Sequence, residues 1–296
     1  MARGKIVDAV KSGRTLVSDG GWGTFLQKRG MKPGECPELW AVEHFDDVKG
    51  IAQSYVDAGA DMVETDSFGG TCYKLEHFGV ADRVAEINEA AAKASRVAAG
   101  DKCWVIASIG PTGKMLVTEE VTEDEMYNAF KEQAIALEKG GADAICVETM
   151  SDIDEAGLAI KAVKENTKCE IICTFTYERN TKGEYRTMMG VTPEKGTLAA
   201  IEAGADIVGA NCGNGIERMI DIVKQIRAIA PEIPILVHAN AGLPVIVDGQ
   251  DTFPESPSDM AGMVGGLKAA GANIIGGCCG TTPDHIKAMK EAIMAL

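Results

Sequence analysis

The chain has 296 residues, a length that holds two domains of typical size or one large α/β barrel of ~250 residues. With 29 basic against 44 acidic residues, the net charge of −15 argues against a broad nucleic-acid footprint and against an anionic membrane surface as partner. No run approaches the ~18 apolar residues of a membrane span, and the start, Met1 to Asp8, lacks the apolar core of a secretion signal.

Eight short apolar runs follow one another along the chain. They are Thr15 to Asp19, Met62 to Asp66, Trp104 to Ser108, Ala144 to Glu148, Ile171 to Thr176, Ile207 to Asn211, Ile235 to Asn240 and Asn273 to Cys278. Continuous apolar runs, rather than strict alternation, predict strands of a parallel sheet buried on both faces. Their starts lie 27 to 47 residues apart, room for a helix and two loops each. Among those helices, Asp82 to Ala99 carries apolar residues at helical spacing and stops at Gly100. Thr122 to Glu125 reads as a capping box opening a helix to Lys139, and Thr282-Pro283 as N-cap and first residue of the last helix.

Gly59-Ala-Asp61, Gly141-Ala-Asp143, Gly204-Ala-Asp206 and Gly271-Ala-Asn273 precede runs two, four, six and eight. An echo on every second unit predicts a closed barrel of repeated βα pairs. The expected architecture is therefore α/β, a single (βα)8 TIM barrel forming one domain over residues 1–296. An open doubly wound sheet is the competing architecture.

On such a barrel, chemistry collects where the strands end. The tips carry Asp19 with Gly20 and Gly21, Glu64 and Asp66, Glu148, Asn211-Cys212, His238 with Asn240, and Cys278-Cys279. The polar loop from Tyr177 to Val191 is a candidate lid. His44, His77 and His285 are expected on solvated surfaces, and Trp40 either caps the site or packs beneath a loop.

Nine cysteines, an odd number, favour reduced thiols and a cytoplasmic setting over a disulfide framework. Six have bland contexts; Cys212, Cys278 and Cys279 end strands six and eight, separated on the rim only by strand seven. Three thiolates from two tips make three corners of a tetrahedron, the zinc geometry that leaves a fourth corner open. Two other readings stand beside it: incidental buried cysteines, and a phosphate cradle over Gly276 to Thr282 at the last helix start.

The segments Asp19-Gly-Gly-Trp-Gly-Thr24, Gly59-Ala-Asp-Met-Val-Glu-Thr65, Glu148-Thr-Met, Gly209-Ala-Asn-Cys212 and Gly276-Gly-Cys-Cys-Gly-Thr-Thr-Pro-Asp-His285 resemble the homocysteine S-methyltransferase family. Within it they are most similar to the homocysteine-binding domain of cobalamin-dependent methionine synthase. The resemblance runs from about Arg14 to Ala292. It implies zinc held by Cys212, Cys278 and Cys279, with Asn240 filling the fourth position before substrate arrives. It implies that Asp19 and Glu148 hold the homocysteine ammonium, and that amides of the Gly20-Gly21 turn receive its carboxylate, with Asn211 in the substrate site.

The implied activity moves a methyl group to homocysteine or a similar thiol, giving methionine. No Asp-x-His-x-x-Gly cobalamin pattern occurs, so methylcobalamin is expected on a separate corrinoid protein. The alternatives are a free S-methylmethionine or betaine donor, or demethylation of a small compound onto a partner corrinoid protein. A structural zinc barrel within a corrinoid assembly is the non-catalytic rival. The sequence departs from the methionine synthase pattern at Asp66, where Asn is usual; this extra charge points to recognition of a cation.

Overall fold

The computed structural model describes residues 4–247 and 250–296. The first three residues of the segment read above for a secretion signal lie outside them. Each apolar run overlaps a strand: β1 (Leu16–Val17), β2 (Met62–Val63), β3 (Trp104–Ile109), β4 (Ala144–Met150), β5 (Glu170–Phe175), β6 (Ile207–Asn211), β7 (Ile235–Ala239) and β8 (Ile274–Gly277), with β3, β4 and β5 reaching one or two residues beyond theirs. All pairings between them are parallel, and the spatial order runs β1-β8-β7-β6-β5-β4-β3-β2. Long helices on the outside alternate with the strands, from Phe45–Asp57 after β1 to Pro283–Met294 after β8. This is a (βα)8 TIM barrel. Among the described residues no helix is long and apolar enough to cross a membrane.

The repeated Gly-Ala-Asp/Asn signature has a double use. Its glycine adopts positive φ as the preceding helix ends, 93° at Gly59, 107° at Gly141 and 111° at Gly204 and Gly271. Its acid or amide then clamps two strands together. Asp61 donates its N–H to the Val17 carbonyl (2.7 Å) and accepts the Val17 N–H on its carboxylate (2.8 Å). Asp143 does the same with Val105, Asp206 with Ile171, and Asn273 with Ile235. The Val17–Asp61 clamp spans β1 and β2, the two ends of the hydrogen-bonded order, and so draws the sheet into a barrel.

The barrel interior is apolar at its N-terminal end. Leu16, Met62, Trp104, Ile106, Ile172, Ile207, Leu236 and Ile274 form one cluster, closed from below by Ile6 and Val10 of the helix Ile6–Lys11. The free N–H groups of Ile6 and Val7 donate to the Glu170 carboxylate at 2.6 and 3.0 Å. A second, larger cluster fills the layer between strands and helices. With its lower half packed solid, the barrel has room for a ligand only at the strand C-terminal ends.

Helix starts follow the sequence signals. Thr122 makes the expected reciprocal cap with Glu125, and Pro283 opens the last helix behind Thr282. His285 departs from its expected solvated place. It is buried, accepting the Thr282 N–H on Nδ1 (3.2 Å) with Nε2 3.0 Å from the Glu255 carbonyl. The capping geometry draws the ring inward, a role that Thr-Pro-Asp-His alone does not reveal.

Candidate active site

Strand β7 laces the two cysteine tips together. The Cys212 N–H donates to the His238 carbonyl (3.0 Å) and the Cys278 N–H to the Ala239 carbonyl (2.7 Å). Cys212 takes a left-handed backbone, φ 57°, that an L-residue holds only at some cost. The result is that one sulfur from each of Cys212, Cys278 and Cys279 lies within 4.8 Å of the others, with Cys212 and Cys279 sulfurs 4.0 Å apart. A tetrahedral zinc with ~2.3 Å bonds sets its sulfurs ~3.8 Å apart, so the trio fits this ion with little adjustment.

Without a metal the three thiols share their protons unequally. Hydrogen bonds from Cys278 and then Cys279 pull the Cys212 thiol down to about 3, with further help from the Gly213 N–H and the Asn240 amide. Cys278 is pushed far up and Cys279 up to about 12, chiefly by the same exchange with Cys212. One thiolate solvated by two thiols is a donor set ready to exchange protons for a cation. Asn240 is 3% exposed, and its side-chain oxygen has no hydrogen-bond partner.

The sulfurs open on a cavity of about 400 Å³. Gly20, Gly21, Trp22, Asp66, Phe68 and Glu148 are on its wall, together with Glu38 and Glu64. Glycine is required at position 21, where a Cβ would stand 2.9 Å from the Cys278 carbonyl oxygen. The Gly21 N–H is taken by the Thr281 hydroxyl at 2.9 Å.

Glu148 ends the regular part of β4 and is held on both oxygens. Ser108 donates to Oε1, and the Asn211 amide donates to Oε2 at 3.1 Å. Asn211, fully buried, is itself fixed by the Thr149 N–H (2.8 Å) and the Thr174 hydroxyl (2.7 Å). Thr149 bends the chain here with φ 59°. Asp19 is 1% exposed and is not on the cavity wall; its Oδ2 accepts the Glu64 N–H (2.8 Å) and the Trp22 indole N–H (2.9 Å). Burial pushes both carboxyls up to about 7, against the pull of these hydrogen bonds.

Glu64 adds a third acid. Burial, then Glu148 and Asp19, push it well above the carboxylate range, and its Oε1 lies 3.4 Å from His238 Nδ1. Burial lowers His238 to about 4, so the ring is neutral, and its Nε2 has no partner. Glu64, Glu148 and His238 offer a second set of three ligand atoms within 4.8 Å.

The structure thus gathers the three cysteines, Glu148, Asp66, Gly20 and Gly21 around one cavity, sets Asn240 against the cysteines, and keeps Asp19 and Asn211 behind the wall. The sequence reading set Phe68 at the tip after the second strand without a role, and passed over Glu38 as a wall residue and Ser108 as a support of Glu148. Loop paths bring in Glu38 and Phe68, whereas Ser108 lies on β3 itself. Trp40 does not cap the site: it is 6% exposed, stacked on His44 at 4.2 Å, and donates to Glu35. The loop after β5 folds as a small antiparallel hairpin, Glu178–Arg179 with Tyr185–Arg186, followed by the exposed Met188 and Met189. The phosphate-cradle reading finds poor ground, since the cavity wall holds four acids and, among the described residues, no Lys, Arg or His.

Fold and site together define a TIM-barrel protein with a three-thiol cluster facing a buried acidic cavity. The family model described as homocysteine S-methyltransferase matches residues 16–293, and the chain belongs to that family. The methionine synthase of Mycobacterium leprae is 31% identical over 301 residues, covering 95% of this chain and 24% of its own length. That of Mycobacterium tuberculosis is 31% identical over 305 residues, covering 96% and 25%. The chain thus spans about a quarter of the length of these relatives. In fold it is similar to the metallated homocysteine methyltransferase MmuM from Escherichia coli, with TM-score 0.79 and 21% identity over 96% of this chain and 99% of that one.

Proposed function

We propose that this methyltransferase-family chain is a zinc-dependent thiol S-methyltransferase, one barrel domain that accepts homocysteine or a close analogue and works in a reducing, cytoplasmic setting. The observation that carries this reading is the approach of three sulfurs, from two distant tips, to the spacing of one tetrahedral ion beside a closed-in cavity. Cys212, Cys278 and Cys279 are the ligands, and Asn240, whose amide donates to Cys212 while its Oδ1 has no partner, stands beside them. Zinc, when bound, supplies the positive charge that keeps an acceptor thiol deprotonated at neutral pH.

The chain's own residues do the rest. Glu148, its carboxylate aimed by Ser108 and Asn211, takes the substrate ammonium, and Asp19 reinforces the charge from behind Trp22. Both are poised to ionise as that cation arrives, because burial, joined at Glu148 by the charges of Cys212 and Asp19, holds them near 7. The Gly20-Gly21 turn leaves space for the substrate's remaining atoms. Holding the substrate at its ammonium end fixes where its sulfur lies, which converts binding into orientation.

The methyl donor must carry an electrophilic methyl group. A methyl-corrinoid on a separate protein, S-methylmethionine and betaine all meet that need. Metal analysis of reduced, freshly purified protein tests the reading: about one zinc per chain is expected. Protein that is active yet free of zinc would overturn it.

A further inference from the structure

Asp19 and Glu148 stand on different strands from the three sulfurs, yet each acid is tied to a cysteine tip by side chains that are not on the cavity wall. On one side the tie is Thr281, fully buried in the turn after β8. Its hydroxyl donates to the Cys278 carbonyl at 2.7 Å and accepts the Gly21 N–H at 2.9 Å. One oxygen thus gives its proton to the cysteine tip and a lone pair to the turn that follows Asp19. Tyr55, fully buried on the helix Phe45–Asp57, grips the same glycine, its phenol donating to the Gly21 carbonyl at 2.8 Å. The Gly277 N–H donates to the Asp19 carbonyl, also at 2.8 Å.

This joint has no slack. A Cβ at position 20 would stand 2.6 Å from the Thr281 hydroxyl oxygen and 3.1 Å from the Tyr55 ring. On the other side the tie is Asn211, the residue before Cys212. Its amide donates to Glu148 at 3.1 Å while its oxygen accepts the Thr149 N–H at 2.8 Å.

An amino thiol has an ammonium at one end and a sulfur at the other, so a protein that anchors both ends measures the chain between them. The measure is only as sharp as the joint is stiff, because a loose turn would let the acids follow a shorter or longer molecule. We propose that Thr281 and Tyr55, with Asn211 on the opposite side, are positioning residues that fix the span from the ammonium anchor to the cysteine cluster, and that this span selects a thiol with two methylene groups between its α-carbon and its sulfur. The inference rests on the thiol methyltransferase reading and deepens it. Replacing Thr281 by Val keeps the shape of the side chain, removes both of its hydroxyl bonds and leaves the Gly21 N–H without a partner.

The test is calorimetry of the full-length zinc-loaded protein with L-cysteine, L-homocysteine and L-2-amino-5-sulfanylpentanoic acid, which differ by one methylene each and need no methyl donor. The wild type should bind homocysteine about tenfold or more tighter than either neighbour, the worth of one methylene in a fitted site. In Thr281→Val that preference should shrink to about threefold or less, chiefly through weaker homocysteine binding. Tyr55→Phe should shrink it by a smaller factor, and Thr281→Ser, which returns the hydroxyl, should restore it. A purely structural role would weaken all three thiols alike and leave the ratio where it was. Zinc content and melting temperature, measured on each protein, separate loss of the joint from loss of metal or fold. Equal binding of the three thiols by the wild type, or an unchanged ratio in a folded, zinc-holding Thr281→Val protein, would overturn the proposal and leave the broader function intact. Should Thr281→Val fail to fold, an unchanged ratio in Tyr55→Phe overturns it as well. Zinc-loaded wild type that binds none of the thiols would overturn the thiol methyltransferase reading itself, and the span with it.

Discussion

The two ends of the barrel use the same kinds of side chain to opposite effect. At the N-terminal end Asp61, Asp143, Asp206 and Glu170 each accept backbone N–H groups, so their charge is spent on holding strands and the Ile6–Lys11 helix together. At the C-terminal end buried polar atoms lack partners: Glu64 Oε1, Asp66 Oδ2, His238 Nε2 and Asn240 Oδ1. Buried polar groups are normally satisfied, and an orphan costs free energy. The lower acids build the fold; the upper ones surround a cavity with polar atoms left unsatisfied.

The contrast can be broken most sharply at the cysteines. Cys212→Ala, Cys278→Ala or Cys279→Ala should each abolish zinc binding and cut thiol methylation by more than ~100-fold, with the melting temperature of the metal-free protein little changed. Metal content and initial rates, measured together, check this; a variant that keeps both would sever the cluster from the chemistry. Next in size is Glu148→Gln, which should raise the KM for the thiol substrate by ~10–100-fold, the worth of a hydrogen bond to a charged group, while zinc stays bound. An unchanged KM would remove Glu148 from ammonium binding.

At the other end, Asp61→Ala should leave zinc and KM alone and lower stability by ~1–3 kcal/mol, because the Val17 N–H loses its partner. Denaturant unfolding measures it, and a shift in KM instead would erase the division between the two ends.

The smallest effect is one of pH. The Asp19 and Glu148 carboxyls stand near 7 when folded, above their ordinary values of 3.8 and 4.5. A raised carboxyl stabilises the fold fully below its unfolded value, and that contribution is lost as pH rises through 7. In the metal- and substrate-free protein, wild type should therefore lose stability relative to Glu148→Gln between pH 5 and pH 8. Parallel melting curves for the two proteins over that range would show Glu148 ionised throughout.

The fold was legible because every strand is buried on both faces and so writes itself as an apolar run. The reading overran at its edges: Thr15 to Asp19 yields only Leu16–Val17 as strand, although Ser18 still donates its N–H to the Ile275 carbonyl. The clamps were visible as a repeat, but not their hydrogen bonds, which depend on which strand lies alongside. The cysteine trio was legible because cysteines at strand tips can be located from topology alone. Glu38 and Phe68 were not, because their places depend on loop paths that leave no periodic trace; Ser108 lies in a run that was read, but its bond to Glu148 depends on which strand lies alongside. His285 misled for a different reason: the helix start was read, but not that the cap draws its ring inward.

Each clamp joins an odd-numbered strand to the even one after it, β1 with β2, β3 with β4, β5 with β6 and β7 with β8. The barrel is thereby assembled from quarters, each carrying its own fastening. A gene divided between β4 and β5 leaves two complete fastenings on either fragment, which makes that junction the natural place for split-protein complementation or for new termini in a circular permutant. A division between β5 and β6 would instead sever a fastened pair.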